Sequence, residues 1–237
     1  MILHPSHLDG RAGTVRLEEV APLAHQRGVP VMVDAAYVNY PVSIMGAHLA
    51  RGADLVCISA KYFGGPNAGG FIMGRKPLIE AVANVHFTRY ESGKYLKYGR
   101  PLKMDRQTIV AVTVALEEWL ETDHAARFQH YRRQVDLLES QLRGLAGTTA
   151  TPMCFTMDEQ FVPEPVNCLV LRFESAGGLS PAAVARHLAA GDPSILVIEE
   201  TDKIGIVMDV LSDGEVMIIA DRVRRAMGEL ASGSKGS

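Results

Sequence analysis

The stretches VPVMVDAAYVNYP (residues 29–41) and GADLVCISAKYFGGPNAGGFIMGRK (residues 52–76) carry the pattern that decides the fold. In each of them a short apolar run, 29–33 or 55–58, ends at a polar residue that is followed by a loop. Short runs rich in Val and Ile, bounded by Gly and Pro and separated by a helical segment, are typical of buried parallel strands. We therefore predict an α/β fold with a mostly parallel sheet, whose strands are joined by right-handed crossovers.

Two polar residues follow these runs, Asp34 after the first and Lys61 after the second. Ligands of open α/β sheets bind beyond the carboxyl ends of the strands, where we expect both side chains. A carboxylate and a lysine placed there suit pyridoxal 5′-phosphate (PLP), because the lysine can form a Schiff base and the carboxylate keeps the pyridine nitrogen protonated. Each residue alone has a simpler explanation, since Asp34 could cap a helix and Lys61 could be a solvated loop charge. Together, and followed by Gly-Gly-Pro-Asn, they favour PLP.

The same region resembles a known family. Four features carry the resemblance: V-D-x-A at the first strand end, G-A-D-L-V at the second strand start, Ser…Lys-x-x-Gly-Gly-Pro in the loop, and G-R-K at the turn into a helix. They are similar to the cofactor-lysine segment of fold-type I PLP-dependent enzymes (the aspartate aminotransferase superfamily), and more narrowly to the branch of selenocysteine synthase and D-glucosaminate-6-phosphate ammonia-lyase. GRPLKMDRQTIVAVTVALEEW (residues 99–119) resembles a further segment of that branch. The resemblance covers about residues 1–120 and implies the PLP-transferase fold.

The resemblance implies roles for residues that match its motifs. Lys61 corresponds to the lysine that forms the Schiff base, and Lys76 is a weaker rival because it follows a turn away from the strand ends. Asp34 corresponds to the carboxylate that pairs with the pyridinium. Ala36 is small enough for a flat ring to lie against the backbone, so we expect it to contact the cofactor.

Further residues are expected around the phosphate and the ring. Ser59 resembles the hydroxyl that helps to hold the cofactor phosphate, although it could merely cap a strand end. Gly64 and Gly65 would allow positive φ and close approach to a ligand, although turn formation alone would also explain them. His7 lies in LHPSH (residues 3–7), where the family has V-H-T-S-N with an asparagine that contacts the phenolic oxygen of the cofactor. A histidine donor could take that place.

Arg100 and Lys103 belong to the basic segment that resembles the family. We predict that they bind an anionic substrate or the cofactor phosphate of a neighbouring subunit, since Arg suits bidentate recognition of anions. Solvated loop charges are the simpler alternative. Directly after them, Asp105 is expected to cap a helix over residues 106–121. The apolar face predicted for this helix consists of Ile109, Val112, Ala115, Leu116 and Leu120.

The chain of 237 residues is long enough for one large or two modest cores. We assign residues 1–120 to the C-terminal part of a PLP-binding large domain. Residues 121–231, with mixed strands and helices and short links, are assigned to a small α+β domain, and the Gly/Ser-rich residues 232–237 to a disordered tail. In the family a substantial segment precedes the matching region, so we expect this sequence to be a fragment of a longer enzyme.

Composition narrows the class of protein. Hydrophobic residues at 47% and charged residues at 22% indicate a globular protein, and a net charge of −3 makes nucleic acid an unlikely partner. No apolar run approaches ~18 residues, so no membrane span is predicted. The three cysteines lie far apart without C-x-x-C spacing, which favours reduced thiols in a cytoplasmic protein over a disulfide framework or a metal site.

These observations predict a PLP-dependent enzyme that acts on an amino acid or amino-sugar acid through Lys61. Ammonia elimination by a lyase comes first, with related transferase chemistry (aminotransferase class V or selenocysteine synthase-like) beside it. We expect a homo-oligomer, a dimer or larger. The alternative is a non-catalytic or truncated PLP-fold protein that serves as an assembly subunit.

Overall fold

The computed structural model describes residues 1–37, 39–88, 99, 101–157, 159–174, 178–212 and 214–233. The chain divides into two compact units, Met1–Thr122 and Asp123–Ser237. Each unit has its own sheet and its own hydrophobic core.

The N-terminal unit contains a four-stranded sheet in the order β1-β2-β3-β4. The first three strands are parallel, which confirms the prediction of a mostly parallel sheet. Residues 70–74 form a fourth strand, which pairs antiparallel with its neighbour, so the predicted parallel pairing does not extend to it. The link between these two strands, residues 60–69, is too short for a parallel crossover, which needs about a dozen residues or more. The elements are β1 (Ile2–Pro5), α1 (Leu17–His25), β2 (Val31–Asp34), α2 (Ala47–Ala50), β3 (Leu55–Ser59), β4 (Gly70–Gly74), α3 (Lys76–Asn84) and α4 (Arg106–Glu121).

One face of this sheet forms the core of the unit. Val31, Val33, Val56 and Ile58 are buried in one cluster with apolar residues of α1 and α4. On the other face Leu55 is buried, whereas Met32, Asp34, Cys57 and Ser59 are only partly covered. The polar residue at the end of β2 therefore stays accessible while the strand itself is held by burial of its apolar neighbours.

Helix α4 begins as predicted, because the Asp105 carboxylate accepts the Thr108 N–H at 2.6 Å. Its apolar face is only partly as predicted. Val112 and Ala115 are each 7% exposed, whereas Ile109 and Leu120 are 41% and 53% exposed. The helix packs on the loop between β3 and β4 through its middle turns, and the outlying apolar residues extend beyond that contact.

The C-terminal unit is an α+β structure with an antiparallel sheet in the order β6-β5-β7-β9-β8. Its core includes Leu138, Leu169, Leu188 and Ile204, which are completely buried. The last helix continues through Gly233, two residues into the predicted tail, and residues 234–237 lie outside the described residues. The elements are α5 (His124–Leu142), β5 (Thr148–Phe155), β6 (Phe161–Val162), β7 (Cys168–Phe173), α6 (Pro181–Ala189), β8 (Ile198–Glu199), β9 (Lys203–Val207) and α7 (Glu215–Gly233).

Two features are absent from the described residues. None of their helices combines the length and apolar character that crossing a membrane requires. Within the same residues, no three His, Cys, Asp or Glu side chains gather where they could hold a metal ion.

Candidate active site

Strands β1, β2 and β3 end at the same edge of the N-terminal sheet. Pro5 at the end of β1 pairs with Asp34, and Asp34 pairs with Cys57 of β3. Because the three strands are parallel and adjacent, the residues that follow them lie along the carboxyl edge, where ligands of such sheets bind. Five predicted site residues end or follow these strands: His7, Asp34, Ala36, Ser59 and Lys61.

The Asp34 carboxylate is half-buried and is oriented by two donors. Its Oδ1 accepts the Ala36 N–H at 3.1 Å, and the Cys57 sulfur lies 3.8 Å from the same oxygen. Among the described residues, no hydrogen bond reaches the other oxygen, Oδ2. One carboxylate oxygen is thus held by the protein and the other can accept an N–H from a ligand.

Cys57 is a hydrogen-bond donor in this environment. Burial raises the pKa of its thiol, and the negative charge of Asp34 raises it further. The protonated thiol can donate to Asp34 Oδ1 or to the Val33 carbonyl, which lies 3.6 Å away. Cys57, Cys154 and Cys168 are all free, as the sequence predicted.

Lys61 belongs to a short 3₁₀ turn, Ala60–Phe63, that directly follows β3. Ala60 and Phe63 are buried at 0% and 3% exposure and fix the turn to the core. Lys61 itself is exposed, and its Nζ lies 4.8 Å from the centre of the Tyr62 ring. The turn therefore has one buried side that anchors it and one open side that presents the amine.

The two glycines after the lysine shape this turn. Gly64 has a φ of +87°, the left-handed conformation that glycine adopts without strain, and its N–H donates to the Ala60 carbonyl. The Gly65 N–H donates to the same carbonyl at 2.8 Å, and a Cβ at Gly65 would lie 2.7 Å from the Ala60 Cβ. Turn geometry and close packing account for both glycines, and their contact with a cofactor stays a prediction.

Ser59 and Ala36 extend the contact between β2 and β3 at the carboxyl edge. The Ser59 N–H donates to the Ala36 carbonyl at 2.9 Å, and both side chains are partly exposed. Their positions beside Asp34 and the lysine turn agree with the expected edge of the sheet. Contact of Ser59 with a phosphate and of Ala36 with a ring remain predictions.

The remaining predicted site residues are His7, Lys103 and Arg100. His7 is exposed in a 3₁₀ turn, Ser6–Leu8, directly after β1, and so reaches the same sheet edge. Lys103 is exposed just before the cap of α4, and no described contact joins it to Asp34 or Lys61. Arg100 lies outside the described residues.

Sequence reasoning missed four residues around the lysine turn. The Tyr37 and Tyr62 rings meet edge to face, with centres 6.4 Å apart. The Asn39 side-chain amide donates to the Tyr62 carbonyl, and the Trp119 indole N–H donates to the Asn39 carbonyl at 2.8 Å. A tyrosine next to a candidate lysine is a visible signal, but nothing local links Trp119 to a residue 80 positions earlier.

A second polar cluster lies between β1, α1 and α2. Arg51 donates to both Glu18 carboxylate oxygens, at 2.7 and 3.0 Å, and also to Asp9. The hydrogen bond from Arg51 is the main cause that lowers the pKa of Glu18 to about 2. His48 is buried, and burial followed by the charge of Arg51 lowers its pKa. His4 is also buried, and its Nε2 lies 3.4 Å from Asp9 Oδ1. These contacts indicate a structural role for His4.

Comparison with curated proteins gives partial matches, and no family model matches the chain. The chain is 27% identical over 190 residues to 5'-C-glycyluridine monooxygenase-decarboxylase from a Streptomyces species, over 80% of this chain and 43% of that protein. It is 29% identical over 137 residues to L-seryl-tRNA(Sec) selenium transferase from Moorella thermoacetica, over 53% of this chain and 27% of that protein. The chain thus spans less than half the length of these relatives.

Solved structures share the fold. The structure of D-glucosaminate-6-phosphate ammonia-lyase matches 97% of this chain and 57% of its own, with a TM-score of 0.71 and 22% sequence identity. The complex of SepCysS with the N-terminal domain of SepCysE matches 97% of this chain and 60% of its own, with a TM-score of 0.54 and 12% identity. Both likenesses extend over nearly the whole chain, so both units belong to the shared fold.

The chain therefore has the fold that fold-type I PLP-dependent enzymes share. Within that class, the similarities lie with the ammonia-lyase and the selenium transferases. The predicted fold and family resemblance are therefore confirmed. These relatives include a lyase, a transferase and a monooxygenase-decarboxylase, and the comparisons do not separate these kinds of chemistry for this chain.

The residues of the carboxyl edge fit PLP. Asp34 has an oxygen that can accept the N–H of a protonated pyridine, and Ala36 leaves room beside it. In the described part of the chain Lys61 has no ion pair, whereas Lys76 and Lys203 are paired with glutamates. The exposed Lys61 amine is therefore accessible to a cofactor aldehyde.

Proposed function

We propose that this chain provides the cofactor-lysine part of a PLP-dependent enzyme that acts on the amino group of an amino acid or amino-sugar acid. Ammonia elimination is the reaction that we favour, and a related group transfer is the second candidate. The observation that carries the proposal is the position of Asp34 and Lys61 at the ends of adjacent parallel strands. One carboxylate oxygen and one amine can then serve the two ends of one flat ring.

Each residue of the edge has a distinct task in this proposal. When bound, PLP supplies an electron sink for negative charge that develops at the substrate α-carbon. Asp34 keeps the ring nitrogen protonated, since an opposite charge close by favours the protonated form. Lys61 attaches the cofactor and moves the proton at the substrate α-carbon. Ser59 binds the phosphate, Ala36 lies against the ring, and His7 donates to its phenolic oxygen.

The remaining predicted contacts complete the site. We assign Gly64 and Gly65 to the wall beside the cofactor, where the absence of side chains permits close approach. Arg100 and Lys103 are assigned to an anionic group of the substrate or to the cofactor phosphate of a neighbouring subunit.

The names of the relatives support the substrate class. D-glucosaminate, a seryl group and a glycyl group each carry an amino group on the carbon next to a carboxyl or carbonyl carbon. PLP chemistry at that carbon leads to elimination, replacement or decarboxylation, depending on which bond the protein aligns. The ammonia-lyase, whose fold matches over 97% of this chain, supports elimination as the first choice.

Covalent labelling of the lysine tests the proposal. The full chain is incubated with PLP, reduced with borohydride and digested with trypsin. A pyridoxyl group on Lys61 blocks cleavage there, so label should appear in one peptide that spans residues 52–75. Lys61→Ala should abolish this label, whereas the control Lys76→Ala should keep it. Label on another lysine in the wild-type protein would contradict the assignment.

Measurement of turnover distinguishes a catalytic enzyme from a non-catalytic assembly subunit. Asp34→Asn should keep the label on Lys61 but lose most of the turnover with amino acid or amino-sugar acid substrates, because the ring is a weaker electron sink without a carboxylate. Ammonia release is the measured quantity. A wild-type protein that labels fully and releases no product from any such substrate would favour the non-catalytic alternative.

We also infer a homo-oligomer. The N-terminal unit exposes several large apolar side chains, including Leu3 at 59%, Leu102 at 76% and Val110 at 57%. Apolar side chains that are exposed in one subunit can become buried at an interface with a second subunit. Light scattering during size-exclusion chromatography should show a dimer or larger species, and a monomer at high concentration would contradict this inference.

A further inference from the structure

We propose that Asn39 and Trp119 are positioning residues for Lys61. They hold the lysine turn against the loop that follows Asp34, and so set the separation between the amine and the carboxylate. This inference rests on the proposed function, because that separation matters for a ligand that both groups bind. Neither residue is assigned to contact the cofactor itself.

The backbone carbonyl groups of the lysine turn accept hydrogen bonds from residues outside the turn. A turn of four residues, Ala60–Phe63, is too short to satisfy its own carbonyl groups. The Ala60 carbonyl accepts the N–H groups of Gly64 and Gly65. The Tyr62 carbonyl, next along the chain from Lys61, accepts the side-chain amide of Asn39. The open side of the turn is therefore tied to the loop after Asp34 through one asparagine.

Asn39 is itself held in place by a residue of helix α4. The Trp119 indole N–H donates to the Asn39 carbonyl at 2.8 Å. Trp119 belongs to α4, which is fixed to the core of the unit by Val112 and Ala115. The hydrogen bonds thus run from a packed helix to the backbone of Asn39, and from the side chain of Asn39 to the lysine turn.

The position of the Lys61 amine depends on the Tyr62 ring. The Lys61 Nζ lies 4.8 Å from the centre of the Tyr62 ring, within range of a cation–π contact. The Tyr62 ring in turn meets the Tyr37 ring edge to face, at 83° between planes. A shift of the Tyr62 backbone would therefore move the ring over which the amine is placed.

Two variants remove one hydrogen bond each. Asn39→Asp replaces the donor to the Tyr62 carbonyl with an acceptor, and Trp119→Phe removes the indole N–H but keeps a ring. Val31→Ala is the control for a general loss of stability, because Val31 is completely buried and lies at the opposite end of β2 from Asp34. Urea unfolding of all three places them on one scale of stability.

The first measurement is the rate of PLP labelling of Lys61, followed by borohydride trapping and detection of the peptide of residues 52–75. The second is amide hydrogen exchange of Gly64 and Gly65 without PLP. We expect Asn39→Asp and Trp119→Phe to slow labelling and to speed exchange about tenfold each, as expected for one lost hydrogen bond. Val31→Ala should label within about twofold of wild type at equal loss of stability.

Wild-type labelling and exchange in both variants would overturn the inference, and so would equal slowing in Val31→Ala. Absence of label on Lys61 in the wild-type protein would instead refute the proposed function. The exchange measurement still decides the positioning in that case, since it needs no cofactor. Faster exchange of Gly64 and Gly65 in the two variants alone would support it, and unchanged exchange would overturn it.

Discussion

Replacement of Asp54 by alanine should lower the free energy of unfolding of the N-terminal unit by about 3 kcal/mol. Asp54 is 1% exposed and connects three elements of that unit. Its carboxylate accepts the Val31 N–H at 2.7 Å, the His25 Nε2–H at 2.8 Å and an Arg75 N–H at 2.8 Å. It thus joins the end of α1, the start of β2 and the turn after β4.

The three bonds contribute unequally. Loss of the acceptor leaves the Val31 N–H buried without a partner, which costs about 1–3 kcal/mol. Arg75 and His25 have side chains that are 66% and 42% exposed, so water can replace the carboxylate at a cost of about 1 kcal/mol or less each. Asp54→Asn keeps an acceptor for Val31 and should cost about half as much.

The contribution of Asp54 to the free energy of unfolding should fall in acid. Burial acts to raise the pKa of Asp54, but the hydrogen bonds from Arg75, Val31 and His25 outweigh it, and the pKa lies below its ordinary value of 3.8. A carboxyl with a lowered pKa in the folded state contributes stability above its unfolded pKa and loses it as the pH falls through the folded pKa. The difference between wild type and Asp54→Asn should therefore be constant near neutral pH and shrink below about pH 4.

Trp119 provides the assay, since it is the one tryptophan of the chain and lies in the N-terminal unit. Its fluorescence during urea unfolding reports on this unit separately from the other. Arg75→Gln is the matched control and should cost about 1 kcal/mol or less. The reasoning is refuted if Asp54→Ala costs less than the control, or if both variants cost the same.

Three further predictions concern the same unit. Acid should destabilise it through His48, because a histidine whose pKa is lowered by burial contributes stability above its unfolded pKa near 6.5 and loses it as the pH falls through the lower folded value. His48→Gln should flatten the fall of the urea midpoint between about pH 7 and pH 5, and an unchanged slope would contradict this. Gly69→Ala should lower the midpoint because the new Cβ would lie 2.3 Å from the Val112 Cγ2. Val112→Ala should recover part of that loss, whereas strictly additive losses would argue against the clash. Asp105→Ala should reduce the stability of α4, whose Thr108 N–H it caps, more than Asp105→Asn does, and circular dichroism during thermal unfolding measures both.

The sequence by itself determined the local features of the fold. Apolar runs of strand length predicted β2 and β3 as parallel neighbours, and the polar residues after them predicted a carboxyl edge with Asp34 and Lys61. Asp105 was predicted as a helix cap and is one. These features depend on side-chain alternation, strand length and hydrogen bonds between residues a few positions apart, which a sequence displays directly.

The tertiary structure alone decided which distant residues meet. The antiparallel direction of β4 follows from the length of its link and from its partner strand, and the exposure of Ile109 and Leu120 from where α4 meets the loop below it. The bonds that run from Trp119 through Asn39 to the lysine turn join residues 80 positions apart. Such contacts depend on packing between elements, because the energy of each pairing is gained only after the chain has closed the loops between them.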